Sequence, residues 1–121
     1  MRVELKQQFQ IESARRLPNL PANHPCSRLH GHSFVIVLTL QGEIDPKVGW
    51  LVDYHHISKL MQPLLETLDH RVLNEVPGLE NPTSELICVW LFEKAKAVIP
   101  QLVQVTVNET SLTSCSYPIR S

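Results

Sequence analysis

Six histidines occur in 121 residues, and two of them form the run His30-Gly31-His32. In an extended segment the side chains at i and i+2 leave from the same face, so both imidazoles can reach one metal ion. Gly31 adds no bulk and permits close approach of the backbone. The competing reading is a pair of partly exposed histidines at the start of a strand. Cys26 precedes them as Cys-x3-His-Gly-His at the end of a proline-rich loop. A cysteine beside histidines, a metal or Arg28 would have its thiol pKa depressed towards neutrality, and the thiolate can then act as general base or nucleophile. The alternative is a small buried hydrophobe. That alternative is the reading for Cys88, which shares a helical face with Phe92, Ala95 and Ile99; Cys115 is assigned no role.

Asp69-His70 pairs a carboxylate with an imidazole, which orients the ring, stabilises its protonated form and makes a proton shuttle. Taken alone, the pair reads equally as an ion pair at a helix end. Glu109 ends a strand of alternating valines, on the parity of Val103, Val105 and Val107. A carboxylate on an apolar face either lies at the sheet end in water or accepts two N–H groups from a ligand. His55-His56, early in a helix, reads as surface.

The elements that must position these groups follow from hydropathy. Val3, Leu5, Phe9 and Ile11 alternate with polar residues, the period of a half-buried strand. Residues 17–25 hold three prolines and form a loop, followed by a strand over about 32–41. Asp53 is the expected N-cap of a helix over about 54–68, which Pro63 should kink or interrupt. After a loop at 74–82, a second helix begins near Asn81 or Thr83, with Pro82 in its first turn, and runs to about Val98. Strands at 102–109 and about 114–118 close the chain. The expected class is α+β, in the order β-β-α-α-β-β, with residues 1–121 as one domain. A four-stranded sheet with helices on one face leaves two open edges, so an oligomer joining sheets edge to edge is expected.

Composition narrows the function classes. Eleven Lys and Arg balance twelve Asp and Glu, so no nucleic-acid or membrane surface is indicated. No apolar run can span a bilayer, and residues 1–15 carry charges through the stretch where a signal peptide needs an apolar block. Three cysteines fit a reducing cytoplasm better than a disulfide framework.

The string Cys26-x3-His30-Gly31-His32, then Leu68-Asp69-His70, Leu73-Asn74, the run from Pro77 through Glu85 (PGLENPTSE) and Glu109-Thr110 resembles the 6-pyruvoyltetrahydropterin synthase / 6-carboxytetrahydropterin synthase family. The likeness runs from about Phe9 to Tyr117. The three-residue gap before His-Gly-His is similar to the bacterial 6-carboxytetrahydropterin synthase branch, which makes a precursor of the tRNA base queuosine. The resemblance implies the tunnelling fold, with sheets joined into a barrel, a homohexamer of two trimers, and active sites between subunits. It implies a lyase that removes triphosphate and acetaldehyde from 7,8-dihydroneopterin triphosphate; the pyruvoyl-forming reaction on the same substrate is the alternative. By similarity, Cys26 is the proton-abstracting base, Asp69 and His70 its relay partners, and Glu109 the anchor of the pterin's amino-pyrimidine edge. His30 and His32 are two of three ligands to Zn2+, a Lewis acid towards the side-chain oxygens.

One residue departs from that pattern. Arg15 stands where the third zinc-ligating histidine is expected, and a guanidinium has no lone pair to offer. Three arrangements are compatible with the sequence. A nearby donor (His24, Cys26 or Glu12) completes the coordination, although parity puts Glu12 on the opposite face from Arg15. Alternatively Arg15 fills the metal's place as a fixed cation, or the chain is a weakened paralogue that still binds pterins.

Overall fold

The computed structural model describes residues 1–120. Two long strands, β1 (Arg2–Arg15) and β2 (His30–Glu43), pair antiparallel along their whole length, from Arg2 opposite Glu43 to Arg15 opposite His30. Helices α1 (Tyr54–Leu68) and α2 (Ser84–Lys96) follow, then β3 (Leu102–Thr110) and β4 (Thr113–Tyr117). The sheet order is β1-β2-β3-β4, all antiparallel. The expected α+β element order is observed, and both leading strands run further than hydropathy alone indicated. No helix among the described residues is long and apolar enough to cross a membrane.

Period-2 alternation sorts the sheet into two faces. Ile11, Phe34, Ile36, Leu38, Val105 and Val107 are buried on the inner face against Ile57 and Met61 of α1 and Ile87 and Leu91 of α2. Each such side chain contributes roughly 1.5–3 kcal/mol relative to exposure. The outer face is polar, with Glu4, Lys6, Gln8, Gln10 and Glu12 exposed along β1.

Both helices begin at side-chain caps. The Asp53 carboxylate accepts from the His55 N–H, and the Thr83 hydroxyl accepts from the Leu86 N–H. Pro82 therefore precedes the cap of α2 instead of occupying its first turn. Pro63 does not interrupt α1: it lies on the exposed side, where water can satisfy the carbonyl left without a donor. A register shift between Thr39 and Leu40 sets Leu40 opposite Leu102, so Leu102 is buried and Val103 is not. That bulge removes Val103 from the valine face on which the sequence pattern placed it.

The β1 edge is partly covered. The His70 N–H donates to the Glu12 carbonyl (2.6 Å), the Ala14 N–H donates to the Arg71 carbonyl (2.9 Å), and Ala14 bridges Val72 in parallel. The segment after α1 thus docks onto the last turns of β1, beside the end of the sheet that carries His30 and His32.

Candidate active site

The inner-face end of the sheet gathers residues distant in sequence. The cross-strand partners Ser13–His32 and Arg15–His30 place both histidines on the face of Arg15, and Glu109 reaches the same end from β3. Arg15 is 5% exposed. Arg15 Nη1 donates to the Pro82 carbonyl (2.9 Å), Nη2 pairs with Glu109 Oε1, Nε is buried without a partner among the described residues, and the guanidinium carbon lies 5.1 Å from the centre of the Phe34 ring. The same Glu109 oxygen is 3.7 Å from His32 Nε2. His32 packs edge-on against Phe34, with ring centres 5.0 Å apart. Burial holds the His32 pKa below its ordinary 6.5, and the positive charge of Arg15 and the proximity of His30 push it the same way. Burial also lowers the Arg15 pKa, while Cys26 and Glu85 oppose that shift.

Asp69 ends α1 and is fastened to β1 by the Glu12 N–H, which donates to Asp69 Oδ1 (2.8 Å). This bond, more than His70, holds the Asp69 carboxyl below its ordinary 3.8. Asp69 Oδ2 lies 3.1 Å from His70 Nδ1. An ionised carboxylate only accepts, so Nδ1 carries the proton and Nε2 is left with its lone pair. His70 adopts φ 58°, a left-handed conformation that a non-glycine residue holds only when its surroundings impose it. Here the bond from its own N–H to β1 does so. The helix-terminal pair and the catalytic reading of Asp69-His70 are therefore compatible in one geometry.

A cavity of about 670 Å3 opens at this end, lined by His32, His70, Arg71, Ser13 and Glu109 among others. That volume suits a small-molecule ligand. Cys26 does not line it. The cysteine sits in a short 3-10 turn (Pro25–Ser27), where its N–H donates to His24 Nδ1 (3.1 Å) and its carbonyl accepts from the Leu17 N–H. Cys88 is buried as expected, and burial pushes its thiol up to about 12. His55 and His56 are exposed.

The metal site expected from His30 and His32 is not assembled by this set of side chains. Two imidazoles on one tetrahedral zinc stand with ring centres about 5 Å apart; those of His30 and His32 are 6.5 Å apart. No group of three or more His, Cys, Asp and Glu side chains able to hold a metal occurs among the described residues, and neither His24 nor Cys26 joins His30 and His32 in one. Glu12 also lines the cavity, but it lies on the strand face opposite Arg15, as its parity required, and is bonded to Ser33 and Gln10. The third position is filled by a paired guanidinium, and these residues do not fit zinc. Gly31 also departs from expectation, since a Cβ there would meet no atom of this chain.

Two further residues, not assigned a role from the sequence, brace the site, although Asn74 falls within the Leu73-Asn74 motif. Asn74 clamps the chain after β1, accepting from the Arg16 N–H (2.9 Å) and donating to the Arg16 and Glu80 carbonyls. Ser13 donates to the Leu68 carbonyl (2.6 Å), tying β1 to the end of α1. The parity of Ser13 with Ile11 was its only signal.

Sheet order and helix placement are those expected of the tunnelling fold. The sequence matches the family described as 6-pyruvoyl tetrahydropterin synthase over residues 4–119. It is 35% identical over 116 residues to 6-carboxy-5,6,7,8-tetrahydropterin synthase of Synechocystis sp., covering 91% of this chain and 88% of that one. It is 29% identical over 126 residues to the protein of the same name in Bacillus subtilis, covering 94% and 84%. The solved structure of Caenorhabditis elegans 6-pyruvoyl tetrahydropterin synthase superposes with a TM-score of 0.88 at 29% identity, covering 97% of this chain and 95% of that one. The chain belongs to the 6-pyruvoyl tetrahydropterin synthase family, and within it is an enzyme similar to the 6-carboxytetrahydropterin synthases.

Proposed function

We propose that the protein is a lyase that converts 7,8-dihydroneopterin triphosphate to 6-carboxy-5,6,7,8-tetrahydropterin, with loss of triphosphate and acetaldehyde, in queuosine precursor synthesis. The observation that carries this reading is the grouping of His32, His70 and Glu109 on one cavity in a chain similar to enzymes of that name. In this reading Glu109 accepts the N–H groups of the pterin's amino-pyrimidine edge. Arg15 engages one carboxylate oxygen and leaves the other to accept from the ligand. Cys26 removes the side-chain proton as its thiolate, and His70 passes protons through Nε2. Asp69 holds the His70 ring and favours its protonated form when the proton arrives.

Assembly belongs to the same proposal. The free stretches of the β1 and β4 edges support a homohexamer of two trimers whose sheets join into a barrel, bringing Cys26 to a pocket completed across subunits. Three free cysteines support a reducing compartment, the cytoplasm.

The test is turnover of 7,8-dihydroneopterin triphosphate with the products identified by mass spectrometry. Cys26→Ala is expected to lower kcat by about 100- to 10,000-fold while pterin affinity stays within about twofold, because a base acts in the transition state. Wild-type kcat in Cys26→Ala refutes its role. Pyruvoyltetrahydropterin as the product would assign the alternative reaction.

A further inference from the structure

We propose that Arg15 is a resident cation: its guanidinium takes the place of a divalent metal at the His30–His32 end of the sheet, and the protein works without one. The part Arg15 plays towards substrate rests on the function proposed above; the exclusion of the metal rests on this chain's side chains alone.

The register leaves no other direction for the side chain. Ile11, Ser13 and Arg15 share the inner face, and Arg15 is the cross-strand partner of His30. At that position the guanidinium is held on three sides, by the Pro82 carbonyl at 2.9 Å, by Glu109 and by the Phe34 ring. It cannot swing aside without leaving a buried carbonyl and a partly buried carboxylate unpaired. A divalent ion bound to His32 Nε2 would approach the Glu109 oxygen 3.7 Å away, which already bears the counter-charge of Arg15. Two cations would then compete for one carboxylate, and the covalently attached one pays no entropy of capture. His30 keeps one feature of a good ligand, since its Nδ1–H donates to the Arg28 carbonyl (2.8 Å) and leaves Nε2 free. One well-oriented imidazole is nonetheless a weak site.

Arg15 acts on the ligand through Glu109 and is a positioning residue. The ion pair fixes one carboxylate oxygen and so sets the direction of the other. A metal-bound relative would have to orient that carboxylate by other means. The site therefore receives its ligand by hydrogen bonds and a fixed charge, with no coordination step that a chelator could reverse.

The experiment measures zinc by elemental analysis in the full-length protein purified from zinc-supplemented medium. Wild type is expected to carry less than about 0.1 zinc per subunit after dialysis, and titration with zinc sulfate should show no tight site. Arg15→His restores a third imidazole and is expected to tighten zinc binding at least a hundredfold, beyond the range of changes outside the ligand shell. The d–d absorption of added cobalt(II) should report tetrahedral coordination in that variant and not in wild type. Arg15→Lys, which keeps the charge, should remain free of metal. The positioning role is read separately, as a rise in KM for the pterin in Arg15→Lys larger than its fall in kcat. One zinc per wild-type subunit that survives dialysis overturns the inference, whether or not Arg15→His folds. So does turnover that EDTA abolishes and zinc restores. Metal-free protein with no turnover under any condition refutes the proposed function and leaves the metal assignment standing.

Discussion

Breaking the pair between Arg15 and Glu109 is expected to cost far more than removing a surface contact. The side chains are 6% and 28% exposed, so the pair lies between the buried and surface limits. Removing one partner of a fully buried pair costs about 3–5 kcal/mol, whereas a surface pair is worth about 0–1. Water reaches Glu109 but not Arg15, which sets the coupling at about 2 kcal/mol. Glu109→Gln keeps the shape and an acceptor oxygen while leaving the buried guanidinium without a counter-charge, so it should cost about 2 kcal/mol. Arg15→Met removes the charge but preserves bulk over Phe34, and Glu109 can turn to water, so its cost should be about 1.5 kcal/mol. The double variant should cost about 1.5 kcal/mol rather than the sum, because no charge is then stranded. Urea unfolding at one fixed protomer concentration measures all four corners of the cycle. In a chain of this size each kcal/mol moves the melting temperature by roughly 3–6 °C, so the Glu109→Gln shift should be evident in a thermal scan as well. Additivity of the two single substitutions within about 0.5 kcal/mol would refute the pairing and the fixed cation built on it.

Acid should act through Asp69. Its folded pKa lies below the ordinary 3.8, so the unfolded chain takes up the proton first. The stabilisation is complete above about pH 3.8 and is lost as the pH falls through the lower folded value. Asp69→Asn, which retains an acceptor for the Glu12 N–H, should flatten the pH dependence of stability below about pH 4; an unchanged acid-unfolding profile would contradict the linkage. Sedimentation velocity at micromolar concentration should show a single species of hexamer mass, and a monodisperse, active monomer would refute edge-to-edge assembly.

What the sequence determined by itself are the features set by local periodicity and capping. Two-residue alternation put Glu12 on the face opposite Arg15, and the structure keeps that division. Asp53 marked the start of α1, and the spacing of His30 and His32 marked one face of β2. These properties depend on bond geometry within a few residues, so they are legible without the fold. The tertiary structure decided everything that depends on contact between distant segments. The bulge at Thr39–Leu40 brought Leu102 into the core in place of Val103. Docking of residues 70–72 on β1, through backbone groups that carry no side-chain signature, forced His70 into its left-handed conformation. Above all, the tertiary structure decided what surrounds the buried Arg15. Its partners are a carbonyl 67 residues away and a carboxylate on the third strand. A guanidinium tolerates burial only where such partners converge, and no local pattern records a convergence that exists only once the chain is packed.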